Sequence, residues 1–123
     1  MIPASTAPGL WAYLAPVLLL VCSNLFMTLA WYGHLKFKAV PLLTVILVSW
    51  SIAFVEYCFA VPANRLGSAV YSPAELKTLQ EVITLAVFAG FTALYFKEPL
   101  TLTQGAGFAL IALGAMLVFR GQA

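Results

Sequence analysis

Residues 10–32 read LWAYLAPVLLLVCSNLFMTLAWY, an apolar run without one formal charge. About 20 apolar residues in a helix cross the hydrocarbon core of a bilayer, so this run predicts a membrane span. The residues before it, MIPASTAPG, lack the basic stretch that opens a cleaved signal, and the first charge is Lys36. The run is therefore expected to be a retained span. Pro8, Gly9 and Pro16 lie near its start, where proline is tolerated. A short basic turn with Gly33, His34, Lys36 and Lys38 follows.

Three more runs of the same kind lie downstream. A span is expected over about residues 40–60, with Pro41 in its first turn and Pro62 ending it. Its β-branched stretch (Thr44, Val45, Ile46, Val48) suits a strand, but the length of the run favours a lipid-facing helix. Residues 63–71, with Asn64, Arg65, Gly67 and Ser68, read as the longest loop. The third span is expected over 73–96 and has the clearest start. Ser72-Pro73-Ala74-Glu75 sets Ser at the N-cap, Pro at the first helical position and Glu three residues past the cap, a capping box. Lys97-Glu98-Pro99 closes it. The fourth span, over about 103–119, ends at Arg120.

Composition agrees. Of 123 residues, 63% are hydrophobic and 8% charged, whereas a soluble domain carries about 25% charged residues. A water-soluble monomer and a disordered chain are excluded. The net charge of +2 is too small for a nucleic-acid footprint. Barrel strands would alternate in polarity and be short, which these runs do not. The expected fold is all-α: one integral-membrane domain of four transmembrane helices. Cys22 and Cys58 fall inside apolar runs and read as small hydrophobes. With no CxxC pair and one His, neither a metal site nor a cofactor is expected. No nucleophile–base pair stands out, so no enzyme is expected either.

Four spans put both termini on one side. That side holds Arg65, Lys77 and Arg120, and the other holds Lys36, Lys38 and Lys97. Orientation normally follows an excess of Lys and Arg on the cytoplasmic side. Three against three predicts dual topology, in which copies insert both ways up and pair antiparallel. The competing reading is that placement breaks the tie, Lys77 being helical.

Ionisable residues inside spans are functional candidates by default. Glu56 lies about one turn before the expected end of span 2, and Glu81 about two turns into span 3. Both enter from the side of the second loop and are expected to meet in one polar pocket. Glu81 opens a stripe at helical spacing through Thr84, Phe88, Thr92 and Tyr95, with Lys77 and Gln80 beside it. Span 2 adds Ser49, Ala53 and Glu56, with Trp50 and Tyr57 adjacent. Span 1 adds Ser23, Asn24, Thr28 and Trp31. Such a cavity suits proton exchange, since desolvation favours a neutral carboxyl, and organic cations, which aromatic faces attract. The competing readings are structural. Lys77 and Glu81 can simply pair at i, i+4, Glu56 can bond Arg65, Asn64 or the third helix start, and Asn24 and Thr28 can serve as interhelical glue.

In span 4, Gly107 and Gly114 are seven apart and share a face, suited either to packing on the other spans or to a helix-pair dimer. The turn Glu98-Pro-Leu-Thr-Leu and the run Gly107-Phe-Ala-Leu-Ile-Ala-Leu-Gly114 resemble the drug/metabolite transporter superfamily. The second is similar to the dimerisation helix of small multidrug resistance transporters. That resemblance implies a homodimer seam of Gly107, Leu110, Ile111 and Gly114. Glu56-Tyr-Cys-Phe and the stretch from Glu75 to Glu81 look like a bacterial four-helix branch of the superfamily, which implies a multi-pass inner-membrane protein. One departure matters. Small multidrug resistance transporters hold a membrane-embedded Glu in span 1, whereas the corresponding stretch here is Cys22-Ser23-Asn24. Any proton coupling then falls to Glu81 or Glu56. The expected function is secondary transport of small polar or cationic metabolites. A small ion channel and a non-transporting membrane partner are the alternatives.

Overall fold

A computed structural model describes residues 9–121, and all regular structure among them is helical. Four helices, α1 (Leu10–Tyr32), α2 (Leu42–Gly67), α3 (Pro73–Leu94) and α4 (Leu102–Gly121), are each long and apolar enough to cross a membrane. At 1.5 Å per residue they run from about 30 to 39 Å, against a hydrocarbon core about 30 Å thick. Residues 1–8, Pro8 among them, and residues 122–123 lie outside the described residues.

The helices pack as a row. α1 packs on α2 over most of its length, less extensively on α3, and α3 packs on α4. The buried residues of α1 are Pro16, Leu20, Ser23, Asn24, Thr28 and Ala30. Pro16, Leu20, Ser23 or Asn24, and Thr28 recur at three- or four-residue steps, and the partners of α1 on α2 and α3 put it at the centre of the molecule. Phe26 of α1 stacks on Phe59 of α2, with ring centroids 5.5 Å apart. Tyr32 meets Phe88 of α3 edge to face at 5.1 Å. α4 buries no residue. Its half-buried positions include Gly105, Phe108, Ala112, Ala115 and Phe119, a narrow stripe at three- and four-residue spacing of the kind that seats a helix on one neighbour.

The boundary that differs most from the sequence expectation is the end of α2. Pro62 does not stop the helix, which continues to Gly67 with Pro62 inside it. A proline removes one backbone donor, and membrane helices tolerate that loss where packing holds the helix on. Packing does so here. Ala63 is fully buried, and a Cβ on Gly67 would stand 2.6 Å from Cδ2 of Leu76 and 3.3 Å from Cβ of Pro16. Glycine at position 67 is what lets the end of α2 close on α1 and α3 together. The expected long loop shrinks to residues 68–72. Tyr71 fastens it: its hydroxyl donates to the Tyr13 carbonyl at 3.0 Å, and the two rings meet edge to face. Burial there, with Tyr13 and Glu75 nearby, pushes the Tyr71 phenol up.

The starts of α3 and α4 are capped alike. The Ser72 hydroxyl accepts from the Glu75 N–H while the Glu75 carboxylate accepts from the Ser72 N–H, as the sequence predicts. Thr101 and Gln104 repeat the exchange at α4. α3 ends at Leu94, two residues short of the expectation. Lys97 adopts a positive φ of 58°, and the Glu98 N–H reaches back to the Thr92 carbonyl. α1 runs into a 3₁₀ turn over Gly33–Lys36. There Tyr95, the residue after α3, donates its hydroxyl to the Gly33 carbonyl at 2.9 Å.

Candidate functional site

The polar residues of α1 sit where a membrane protein can least afford them. Ser23, Asn24 and Thr28 are buried, and Ser23 lies about 20 Å from the start of α1 and 14 Å from its end. Their partners come from both sides. The Ser23 hydroxyl donates to Oε1 of Glu56 on α2 at 2.9 Å. The Thr84 hydroxyl of α3 donates to Oδ1 of Asn24, whose amide donates to the Leu20 carbonyl at 2.8 Å. Two successive residues of α1 thus bind two different helices. Among the described residues, no buried side-chain nitrogen or oxygen lacks a partner.

Because α2 runs on to Gly67, Glu56 is farther from the end of its helix than the sequence suggested. It stands about 16 Å from that end and 21 Å from Leu42, in the middle third of α2, and is buried. Its carboxylate is bonded to the Cys22-Ser23-Asn24 stretch of α1. Neither Arg65 nor Asn64 serves as its partner.

Glu81 lies elsewhere. A groove of about 580 Å³ opens between α1, α3 and α4. Thr28 and Trp31 line it from α1, Gln80, Glu81, Thr84 and Phe88 from α3, and Phe108 from α4. Glu81, about 12 Å into α3, pairs with Lys77 at 2.9 Å, and their side chains remain 52% and 70% exposed. The expected single pocket holding both carboxylates is therefore divided. α1 stands between Glu56, on its α2 side, and Glu81, on its α3 side. The reason is the angular position of the two polar residues of α1: Ser23 faces α2 and Asn24 faces α3.

The other expected lining residues divide similarly. Thr84, Gln80, Thr28 and Trp31 gather around the groove. Trp50 and Tyr57 do not: they are 71% and 65% exposed on the outer face of α2. Thr92 and Tyr95 are taken up by closing α3 and docking it on α1. On α4, Leu110, Ile111 and Gly114 are exposed, and a Cβ at Gly107 or Gly114 would meet nothing within 4 Å. That face of α4 is not used in packing against the other three helices. Phe108 is a lining residue that the sequence reading missed, since its place became visible only with the α3–α4 seam. Among the described residues, no three His, Cys, Asp or Glu side chains gather to hold a metal ion.

The sequence model of the DMT_6 family, described as "Putative member of DMT superfamily (DUF486)", matches residues 16–119. The chain belongs to this family. No curated protein and no solved structure matches it. Membership in DMT_6 places the chain with membrane transporters in general and agrees with four membrane-spanning helices. The match spans all four helices and takes in both Glu56 and the groove residues.

Proposed function

We propose that the protein is a secondary transporter of small polar or cationic metabolites in the bacterial inner membrane, coupled to protons. The observation that carries this reading is the Glu56 carboxyl group, buried in the middle third of the apolar helix α2 and held against Ser23. Small multidrug resistance transporters carry their acid within span 1. Here α2 delivers a carboxylate to the corresponding stretch of α1. An ionisable group at that depth is costly and persists where it has work to do.

In this reading Glu56 carries the proton, and the groove beside Asn24 and Thr84 takes the substrate. Glu81, on release from Lys77, and Gln80 offer charge and hydrogen bonds, and Trp31, Phe88 and Phe108 offer aromatic faces to a cation. The bond from Thr84 to Asn24 and the bond from Ser23 to Glu56 leave from neighbouring positions of α1, so occupation of the groove and protonation of Glu56 act on one helix. A second copy in the opposite orientation, joined through the free face of Gly107, Leu110, Ile111 and Gly114, completes an inverted pair of the kind on which alternating access is built. The balanced basic residues and the open α4 face support that arrangement.

The test is a thermal-shift screen of the purified protein against organic cations and polar metabolites at two pH values, since a ligand that binds the folded state stabilises it. Hits are then followed by uptake into proteoliposomes. Glu81→Gln is expected to lose binding of a cationic hit. Glu56→Gln is expected to keep binding and lose its dependence on pH. Normal binding and pH-dependent uptake in both variants would defeat the assignment. Passage of ions at channel rates would replace the carrier with a pore.

A further inference from the structure

A second cavity lies on the opposite flank of α1, at the end of the molecule that holds the 3₁₀ turn. Its volume is about 290 Å³. Leu29 of α1, Phe37 and Val40 of the connection, and Val45, Val48 and Ile52 of α2 make its walls. From Thr44 to Ile52, both of which line it, the cavity follows α2 for about 12 Å, so it is a slot running from the connection along α2. Its lining is almost wholly apolar, and it belongs neither to the groove nor to the Ser23–Glu56 contact.

The mouth of the slot is different in character. His34 lines it, and Lys36 and Lys38 flank Phe37 in the same connection. The Lys36 ammonium stands 4.1 Å over the ring of Tyr95, another lining residue. Residues 33–41 contain no acid. The α3–α4 turn at the same end adds Lys97 and Glu98, one of each sign, so the end remains net positive.

We propose that the slot is a binding site for an anionic phospholipid, with one acyl chain between α1 and α2 and the headgroup phosphate on Lys36 and Lys38. An apolar slot open to the bilayer is filled by whatever chain the bilayer supplies. A basic cluster at the headgroup level then selects among headgroups, because lysines near the membrane surface attract anionic lipid. The slot selects for a chain and the lysines for a charge, and a lipid carries both. The site is independent of the transport reading.

The experiment uses delipidated full-length protein in mild detergent. Dioleoyl phosphatidylglycerol, dioleoyl phosphatidylcholine or inorganic phosphate is added, and bound lipid is counted by native mass spectrometry beside the unfolding midpoint. Phosphatidylglycerol is expected to be retained over phosphatidylcholine. The Lys36→Gln/Lys38→Gln double variant is expected to lose that preference by about fivefold per lysine. Ser49→Phe, which fills the slot, is expected to release both lipids alike. Equal retention of the two lipids by the native protein, or an unchanged preference in the double variant, overturns the proposal. Stabilisation by phosphate alone overturns it in favour of a free-anion site. Dimer loss in Ser49→Phe with lipid retention unchanged overturns it in favour of a second copy.

Discussion

At the scale of single residues, the decisive contact joins Ser23 to Glu56. Interhelical hydrogen bonds in membranes contribute about 0.6 kcal/mol on average and about 1.7 at most, and removing the donor also leaves a buried carboxyl acceptor unsatisfied. Ser23→Ala is therefore expected to destabilise the protein by about 1–2 kcal/mol. Glu56→Gln keeps an acceptor for Ser23 in a side chain of the same size, so it is expected to match or exceed the parent. Unfolding midpoints in one detergent decide between them. If Ser23→Ala is neutral and Glu56→Gln is the destabilised variant, the contact contributes in some other way. Depth is what the sequence concealed at this scale. The identity of Glu56 marks it as a candidate, but its level depends on where α2 ends. That end was hidden because proline is an ambiguous signal inside a span, and the packing that overrules it involves Ala63, Gly67, Pro16 and Leu76 from three helices.

At the scale of elements, the two capped starts differ in what supports them. α3 is held by Ser72 and by packing on both α1 and α4, whereas α4 has its Thr101–Gln104 exchange and packs chiefly on α3. Loss of an N-cap costs about 0.5–2 kcal/mol. Ser72→Ala is expected to lower the global unfolding midpoint. Thr101→Ala is expected to leave that midpoint nearly unchanged and to accelerate amide exchange in the first turns of α4. Hydrogen-exchange mass spectrometry of the two variants checks this, and equal exchange across α3 and α4 in Thr101→Ala would contradict it. The Ser72 cap was legible because Ser, Pro and Glu stand at diagnostic spacing before an apolar run. The Thr101 cap follows the same rule with Gln in place of Glu, but there Leu102 rather than a proline stands at the first helical position. The stripe from Glu81 to Tyr95 was legible as one helix face. Its division into a groove half and a docking half was not, because that depends on where α1 turns towards α2 at Gly33.

At the scale of the whole molecule, the equal distribution of basic residues is the feature with most reach. The helix ends on each side of the bundle carry three, so a small change should decide the orientation. Ser68→Lys together with Lys97→Gln makes the count four against two. A C-terminal reporter that reads on both sides in the parent chain is expected to read wholly cytoplasmic in this variant. A parent that already reads on one side only would end the dual-topology proposal and, with it, the antiparallel pair. The four-helix architecture could be read from the length of the apolar runs alone. The order of neighbours, α2–α1–α3–α4, could not, since nothing in a hydropathy pattern says that α1 rather than α4 occupies the middle.

That middle position limits how the machine can move. Spinning α1 about its long axis would tear Ser23 from α2 and Asn24 from α3 in the same stroke. Tilting α1, α2 and α3 together as one block breaks neither bond. The inexpensive hinge is then the thin seam beside α4, so the fourth helix is suited to be the fixed post against which the other three swing.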